Sequence, residues 1–338
     1  MAWPDDALAP DGRLPVSVLG LGWVGAAVVA RLLAHTARPL DINVVVPSDA
    51  HRGAFLDLAH TAAFHPAHRL RWNDGDAFRA ARVVFHAAGA SNPVGASRHV
   101  VADANAALTR TIFGSAHFSH EPFIIVITNP VDVIAWHAWQ ASGVDAARVI
   151  STGTLLEAAR LAYYLAEALA VAPAAVDAWV LGEHGDAQVP VFSRTTVAGQ
   201  PIREVDAVVR DPAILMRCAE RTRTAAWQVR RTQPSTWWAV TDCADVIFRC
   251  LIGEGERRCP VGVRVGGEWA EALNLGVGVG VGVADAFLGL PVRLRQGGYD
   301  VVAPDAFGGL EEGEWGALRG AAGVVGAACR WQTGPVGP

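Results

Sequence analysis

The sequence predicts an α/β protein in two parts: a doubly wound parallel sheet over residues 14–150, then an α+β region over residues 151–330. Three observations carry that expectation. The apolar run Leu14 to Leu19 enters Gly20-Leu21-Gly22-Trp23-Val24-Gly25, and an alanine-rich helical stretch, Ala26 to His35, leads to a second apolar run, Ile42 to Val46. Strand, glycine turn, helix and strand within about thirty residues form the dinucleotide-binding arrangement. Further apolar runs at Arg82 to Ala88 and Phe123 to Ile127 read as buried parallel strands between helical patterns. From Val149 onward the helices lengthen and the strands look antiparallel, the mark of a second, α+β part.

Composition narrows the function classes. The chain has 338 residues, 51% hydrophobic and 18% charged, enough to bury a core without staples. A net charge of −5 and a pI near 6.1 exclude an electrostatic grip on nucleic acid or on anionic membrane. Every basic residue among the 28 is arginine, which reads as codon bias. Five cysteines, an odd number without a CxxC pair, point to reduced thiols and to no metal site. Acidic Asp5 and Asp6 stand where a signal peptide needs basic residues, and Ala270 to Pro291 is too interrupted to span a bilayer. A soluble, cytoplasmic protein is expected. Residues 1–13 read as a disordered extension and 331–338 as a loose tail.

In the glycine turn, Gly20 permits the tight bend and Gly22 lets a pyrophosphate reach backbone N–H groups. Gly25 lets helix and strand pack closely, with the phosphates at the positive helix terminus. Trp23 and Val24 complete this cofactor-binding segment. One element is missing. An NAD site usually has Asp or Glu at the end of the second strand to hold the ribose 2′-hydroxyl. Here the strand ends Val44-Val45-Val46-Pro47-Ser48-Asp49, followed by Arg52. Either Asp49 swings back to the ribose, or Ser48 and Arg52 accept a 2′-phosphate and the cofactor is NADP; NAD with NADP as the alternative is the expectation. A second glycine run, Gly276 to Gly282, alternates with valine and fails the phosphate-loop spacing, so it reads as a structural strand.

The turn-rich segment Ser91 to Arg98 follows a strand ending in Ala88-Gly89-Ala90 and leads into a helix through Asn105 and Phe113. It stands where such sheets bind ligands, and it can act as a lid. In the second part, Val176 to Leu181 reads as a strand entering Gly182-Glu183-His184-Gly185-Asp186. A histidine between acidic residues and glycines is a plausible acid/base, although alone the motif is more often a turn. Ser151 to Leu169 reads as a helix with Leu155, Ala159 and Ala162 inward.

Gly20-Leu21-Gly22-Trp23-Val24-Gly25, Ala88-Gly89-Ala90, Thr128-Asn129-Pro130-Val131-Asp132, Thr152-Gly153-Thr154-Leu155-Leu156-Glu157-Ala158-Ala159-Arg160 and Gly182-Glu183-His184-Gly185-Asp186 occur in the order of one family. From about Leu14 to Cys329 the chain resembles the L-lactate/malate dehydrogenases, most closely in motif the L-2-hydroxyisocaproate branch. The resemblance implies a Rossmann NAD(P) domain, a homodimer or homotetramer, and reversible hydride transfer between nicotinamide and a monocarboxylic 2-oxo/2-hydroxy acid. It assigns His184 as proton donor and acceptor. Glu157 stands where the family has an aspartate that orients the histidine, so either the backbone adjusts to keep the pair or the histidine is weakly held. Arg160 would clamp the substrate carboxylate, Arg98 would polarise its carbonyl, and Asn129 and Thr236 would line the pocket. Asn92 stands at the position that selects the side chain, and its neutral amide implies a monocarboxylic acid. Gly89, Ala90, Asn105, Ile127 and Thr128 join the expected cofactor-binding set. Malate or lactate dehydrogenase itself, a specialised biosynthetic reductase and a weakly active nucleotide-binding paralogue stay open as alternatives.

Overall fold

The structure, a computed structural model, describes residues 8–90, 101–275 and 286–331. Asn92, Arg98 and the Gly276 to Gly282 run lie outside the described residues. In chain order, the first segment runs β1 (Leu14–Leu19), α1 (Trp23–His35), β2 (Leu40–Val45), α2 (Arg52–Ala62), β3 (Arg69–Trp72), α3 (Gly75–Arg79), β4 (Val83–His86), α4 (Ala102–Gly114), β5 (Phe123–Val126), α5 (Val131–Ser142) and β6 (Val149–Ser151). The next runs α6 (Leu155–Leu169), β7 (Val176–Asp177), β8 (Val180–Gly182), β9 (Gln188–Pro190), β10 (Thr196–Val197), β11 (Gln200–Pro201), α7 (Asp206–Arg210) and α8 (Ala213–Arg230). The last runs α9 (Trp238–Leu251), β12 (Arg257–Arg264), α10 (Gly267–Ala272), β13 (Phe287–Arg295), β14 (Gly298–Val301), α11 (Pro304–Phe307) and α12 (Glu312–Trp331).

The chain divides into two compact units. The first takes the residues up to Thr152 and also Ser235–Arg257 and Leu294–Tyr299. The sequence suggested one cut near residue 150; α9 in fact returns to the first unit, beside α1. Its strands are parallel in the order β3-β2-β1-β4-β5-β6, with Val16 paired to both Ile42 and Val83. Every residue of β1, β4 and β5 is buried, as strands covered by helices on both faces must be. Helix α1 buries Val28, Val29, Leu32 and Leu33, one stripe at helical spacing. From α9, Phe248 stacks at 5.3 Å on Phe85 of β4, and Asp242 pairs with Arg31 of α1 at 2.7 Å. The chain reverses its strand order between β1 and β4, and ligands bind outside the carboxyl ends of strands at such a switch point.

The second unit comprises Gly153–Pro234, Arg258–Arg293 and the residues from Asp300. It holds a run β12-β13-β8-β9, antiparallel from β13 through β8 to β9, and a small antiparallel sheet β11-β10-β7. Helices α6 and α8 pack together over a core that includes Leu161, Leu165, Val180, Phe192, Ile202 and Leu215.

Four local expectations need correction. Val176 to Leu181 is two strands on different sheets, because Trp179 turns aside: its indole donates to Asp177 at 3.2 Å and its N–H to Thr195 at 3.3 Å. Ser151 ends a strand, and the helix expected from it starts only at Leu155, after Gly153 takes a left-handed φ of 47°. The buried face of α6 is Leu155, Ala158, Leu161 and Leu165; Ala159 is exposed, since the row rising from Leu155 continues at the third residue. Residues 8–13, expected within a disordered extension, are tied down: Arg13 donates to the Ala67 carbonyl at 2.9 Å and Asp11 pairs with Arg69 at 2.8 Å.

Candidate active site

In the first unit the loop after β1 forms a cradle. Gly20 has φ +86°, and a Cβ there would lie 2.7 Å from the Ala88 backbone; one on Gly25 would overlap the Gly20 carbonyl. Both positions therefore demand glycine for packing reasons. Gly22 differs. A Cβ on it would meet nothing within 4 Å, so this glycine keeps open space rather than filling a tight contact. It caps α1 without a side-chain hydrogen bond, and the first turn carries no acid. Uncapped N–H groups facing an open glycine fit a pyrophosphate, whose charge the helix terminus would stabilise.

Around the cradle, Trp23 is 59% exposed and stacks on Trp237 at 5.0 Å with planes 19° apart. Val24 is half-buried. At the end of β2, Ser48 accepts a hydrogen bond from the Ala50 N–H at 3.4 Å, which starts a short turn holding exposed Asp49. The Arg52 guanidinium lies over the rings of Phe55 and Trp72, at 5.1 and 5.0 Å. Ile127 and Thr128 are buried after β5, where the Thr128 hydroxyl donates to the Ala88 carbonyl at 2.9 Å. Asn105, buried on α4, accepts from the Ala90 N–H at 2.7 Å and donates to the Asn129 carbonyl at 2.8 Å. Asn129 itself is exposed and Thr236 half-buried.

In the second unit three of the expected residues meet. Helix α6 carries Glu157 and, one turn on, Arg160; the loop after β8 carries His184. Glu157 Oε2 lies 2.8 Å from His184 Nδ1, and Arg160 donates to Glu157 Oε1 at 3.1 Å. Glu157 is 1% exposed and His184 8%. The carboxylate thus divides its two oxygens between the imidazole and the guanidinium, and the longer glutamate side chain still holds the histidine. The acids adjacent in sequence do other work. Glu183 folds over its own turn and accepts from the Ala187 N–H at 2.9 Å, while Asp186 is exposed beside Arg223 at 3.5 Å. A buried imidazole with one nitrogen held by a carboxylate is oriented for proton transfer at the other nitrogen. An arginine fork one helical turn away suits a carboxylate ligand.

Residues 14–151 match the family of lactate/malate dehydrogenase NAD-binding domains, and residues 154–324 match the family's α/β C-terminal domain. The chain belongs to the lactate/malate dehydrogenase family. NAD is accordingly its cofactor and a 2-hydroxy acid its class of substrate. Among its relatives, L-lactate dehydrogenase A of Hordeum vulgare is 32% identical over 303 residues, 88% of this chain and 82% of that protein. An L-lactate dehydrogenase of Gloeobacter violaceus is 32% identical over 268 residues, 77% of this chain and 80% of that protein. The fold matches the minor L-lactate dehydrogenase of Enterococcus mundtii with TM-score 0.81 at 24% identity, covering 95% of this chain and 98% of that one. Malate dehydrogenase of Plasmodium falciparum matches at TM-score 0.81 and 20% identity, with 94% and 97% covered. Lactate and malate enzymes fit equally well, so the fold alone does not choose between substrates.

Sequence reasoning missed two features of this family member. His86, at the end of β4, is fully buried with Nε2 2.8 Å from the Thr109 hydroxyl; burial pushes its pKa down to about 3, so it stays neutral. A lone histidine in an apolar strand gave no signal of a partner a helix away. The Trp23–Trp237 stack joins positions more than two hundred residues apart, which no local pattern reveals.

Proposed function

We propose that this protein is an NAD-dependent L-2-hydroxyacid dehydrogenase that interconverts a monocarboxylic 2-oxo acid and its L-2-hydroxy acid. The observation that carries the reading is the buried His184–Glu157–Arg160 constellation. With Nδ1 held by Glu157, the His184 ring is oriented to give a proton to the substrate oxygen during reduction and to take it back during oxidation. Glu157 fixes the ring and balances the imidazolium charge. Arg160 spends one N–H on Glu157 and keeps the rest of its fork for the substrate carboxylate. NAD, when bound, supplies or accepts the hydride at C2 of the acid. The roles that the resemblance gives Arg98, Asn129 and Thr236 belong to the same proposal.

The neutral amide of Asn92 at the selecting position supports a monocarboxylic substrate, and the relatives above bear the name L-lactate dehydrogenase. Exposed Asp49 in the turn after β2 and Arg52 laid on two aromatic rings support NAD over NADP. A cytoplasmic homodimer or homotetramer completes the proposal, and sedimentation of the purified protein tests its assembly. The test of the substrate class is steady-state reduction of pyruvate, 2-oxoisocaproate and oxaloacetate with each cofactor. Preference for a monocarboxylic acid with NADH is expected; preference for oxaloacetate would overturn the substrate assignment.

A further inference from the structure

Asn105 was expected among the cofactor-binding residues, yet its amide is fully engaged by the protein. Oδ1 accepts from the Ala90 N–H at 2.7 Å, and Nδ2 donates to the Asn129 carbonyl at 2.8 Å and to the Ala90 carbonyl at 3.4 Å. The orientation of the amide is fixed, because only its oxygen can face an N–H and only its nitrogen can face two carbonyls. Asn105 is 1% exposed. A Cβ on Gly89 would lie 2.9 Å from Asn105 Oδ1 and 2.7 Å from Thr128 Cγ2, so that glycine gives the amide its room. Below it, the Thr109 hydroxyl donates to the Asn105 carbonyl at 2.6 Å and lies 2.8 Å from His86 Nε2, which anchors this turn of α4. One buried amide therefore staples the loop after β4 to the loop after β5.

We propose that Asn105 is a positioning residue that aims Asn129, and that it does not touch the cofactor. The inference rests on the proposed dehydrogenase activity, in which Asn129 serves the substrate oxygen. Holding the Asn129 carbonyl fixes the backbone from which its exposed side chain projects, and sub-ångström placement of such a group governs the chemical step.

Asn105→Asp provides the discriminating experiment. A protonated carboxyl can reproduce the wild-type pattern, accepting from Ala90 N–H and donating to the Asn129 carbonyl. An ionised one sets a negative oxygen against that carbonyl and opens the staple. With its pKa raised by burial and two facing carbonyls, the new carboxyl should titrate in the working range. The kcat of N105D should approach the wild-type value near about pH 5.5 and fall about tenfold or more below it by about pH 8, while the Kd for NADH, read by fluorescence, stays within about threefold. Asn105→Ser should lose kcat without recovery in acid and keep the same NADH affinity, which covers an N105D protein that unfolds in alkali. Wild-type kcat in N105D at every pH, or a loss of NADH affinity beyond about threefold in N105D or N105S, would each overturn the inference. A wild-type protein that reduces no 2-oxo acid would overturn the dehydrogenase reading instead, and NADH affinity in N105S would still decide whether Asn105 touches the cofactor.

Discussion

At the scale of single residues, the arrangement turns on one carboxylate shared by an imidazole and a guanidinium. Glu157 is buried and reaches both His184 and Arg160, so each partner's removal should have its own kinetic signature. His184→Ala removes the group proposed to move the proton, and kcat should fall about 10²–10⁴-fold with cofactor affinity kept. Glu157→Gln preserves shape but not charge; a kcat loss of about 10²-fold, seen in single-turnover reduction with NADH, is expected. Arg160→Lys replaces a fork with a point charge, which should raise KM for the acid and cost about 2–3 kcal/mol in kcat/KM. These residues were legible because the motif order names them. Their geometry was not. That glutamate can stand for the family's aspartate follows from α6 placing it where two methylenes span to His184 and Arg160 together, which spacing alone does not say.

At the scale of elements, the parallel sheet is held by a polar network at the start of β2 and β3. Asp41 is buried and accepts from Arg69 at 2.8 and 2.5 Å and from Arg71 at 2.9 Å. Burial alone would raise its pKa, but the hydrogen bonds from Arg69 and Arg71 outweigh burial and hold it below the usual carboxylate value. A lowered folded pKa contributes stability that is present above the unfolded value near 3.8 and is lost as pH falls through the folded one. Asp41→Asn should therefore cost about 2 kcal/mol at neutral pH, less than for a fully buried pair because both guanidiniums are partly exposed. Urea titrations of the two proteins should converge as pH drops below the folded value. His86 adds a second limb with the same sign at higher pH. Held neutral with a pKa of about 3, it stabilises the fold above the unfolded value of 6.5, and that contribution fades as pH falls from there. His86→Gln should flatten the fall in urea midpoint between about pH 6.5 and 4, and an unchanged slope would contradict this. The strands themselves were readable as apolar runs. The strand break at Trp179 and the late start of α6 were not, since each is set by partners far along the chain.

At the scale of the whole molecule, a glycine cradle lies in one unit and the Glu157–His184–Arg160 cluster in the other, and the proposed function gives cofactor binding to the first and proton transfer to the second. Glycine spacing announced the first, and five motifs in family order announced the second. The return of Ser235–Arg257 to the first unit stayed hidden, because helix α9 is as amphipathic as any helix of the second unit and only its tertiary partners, Phe85 and Arg31, decide where it packs. No helix among the described residues is long and apolar enough to cross a membrane. The decisive measurement is NADH consumption by the wild-type protein and by His184→Ala across a panel of 2-oxo acids. Saturable turnover of a monocarboxylic acid by the wild type, lost in His184→Ala while both proteins still bind NADH, is the expected result. NADH binding without turnover of any 2-oxo acid, or undiminished turnover in His184→Ala, would contradict it.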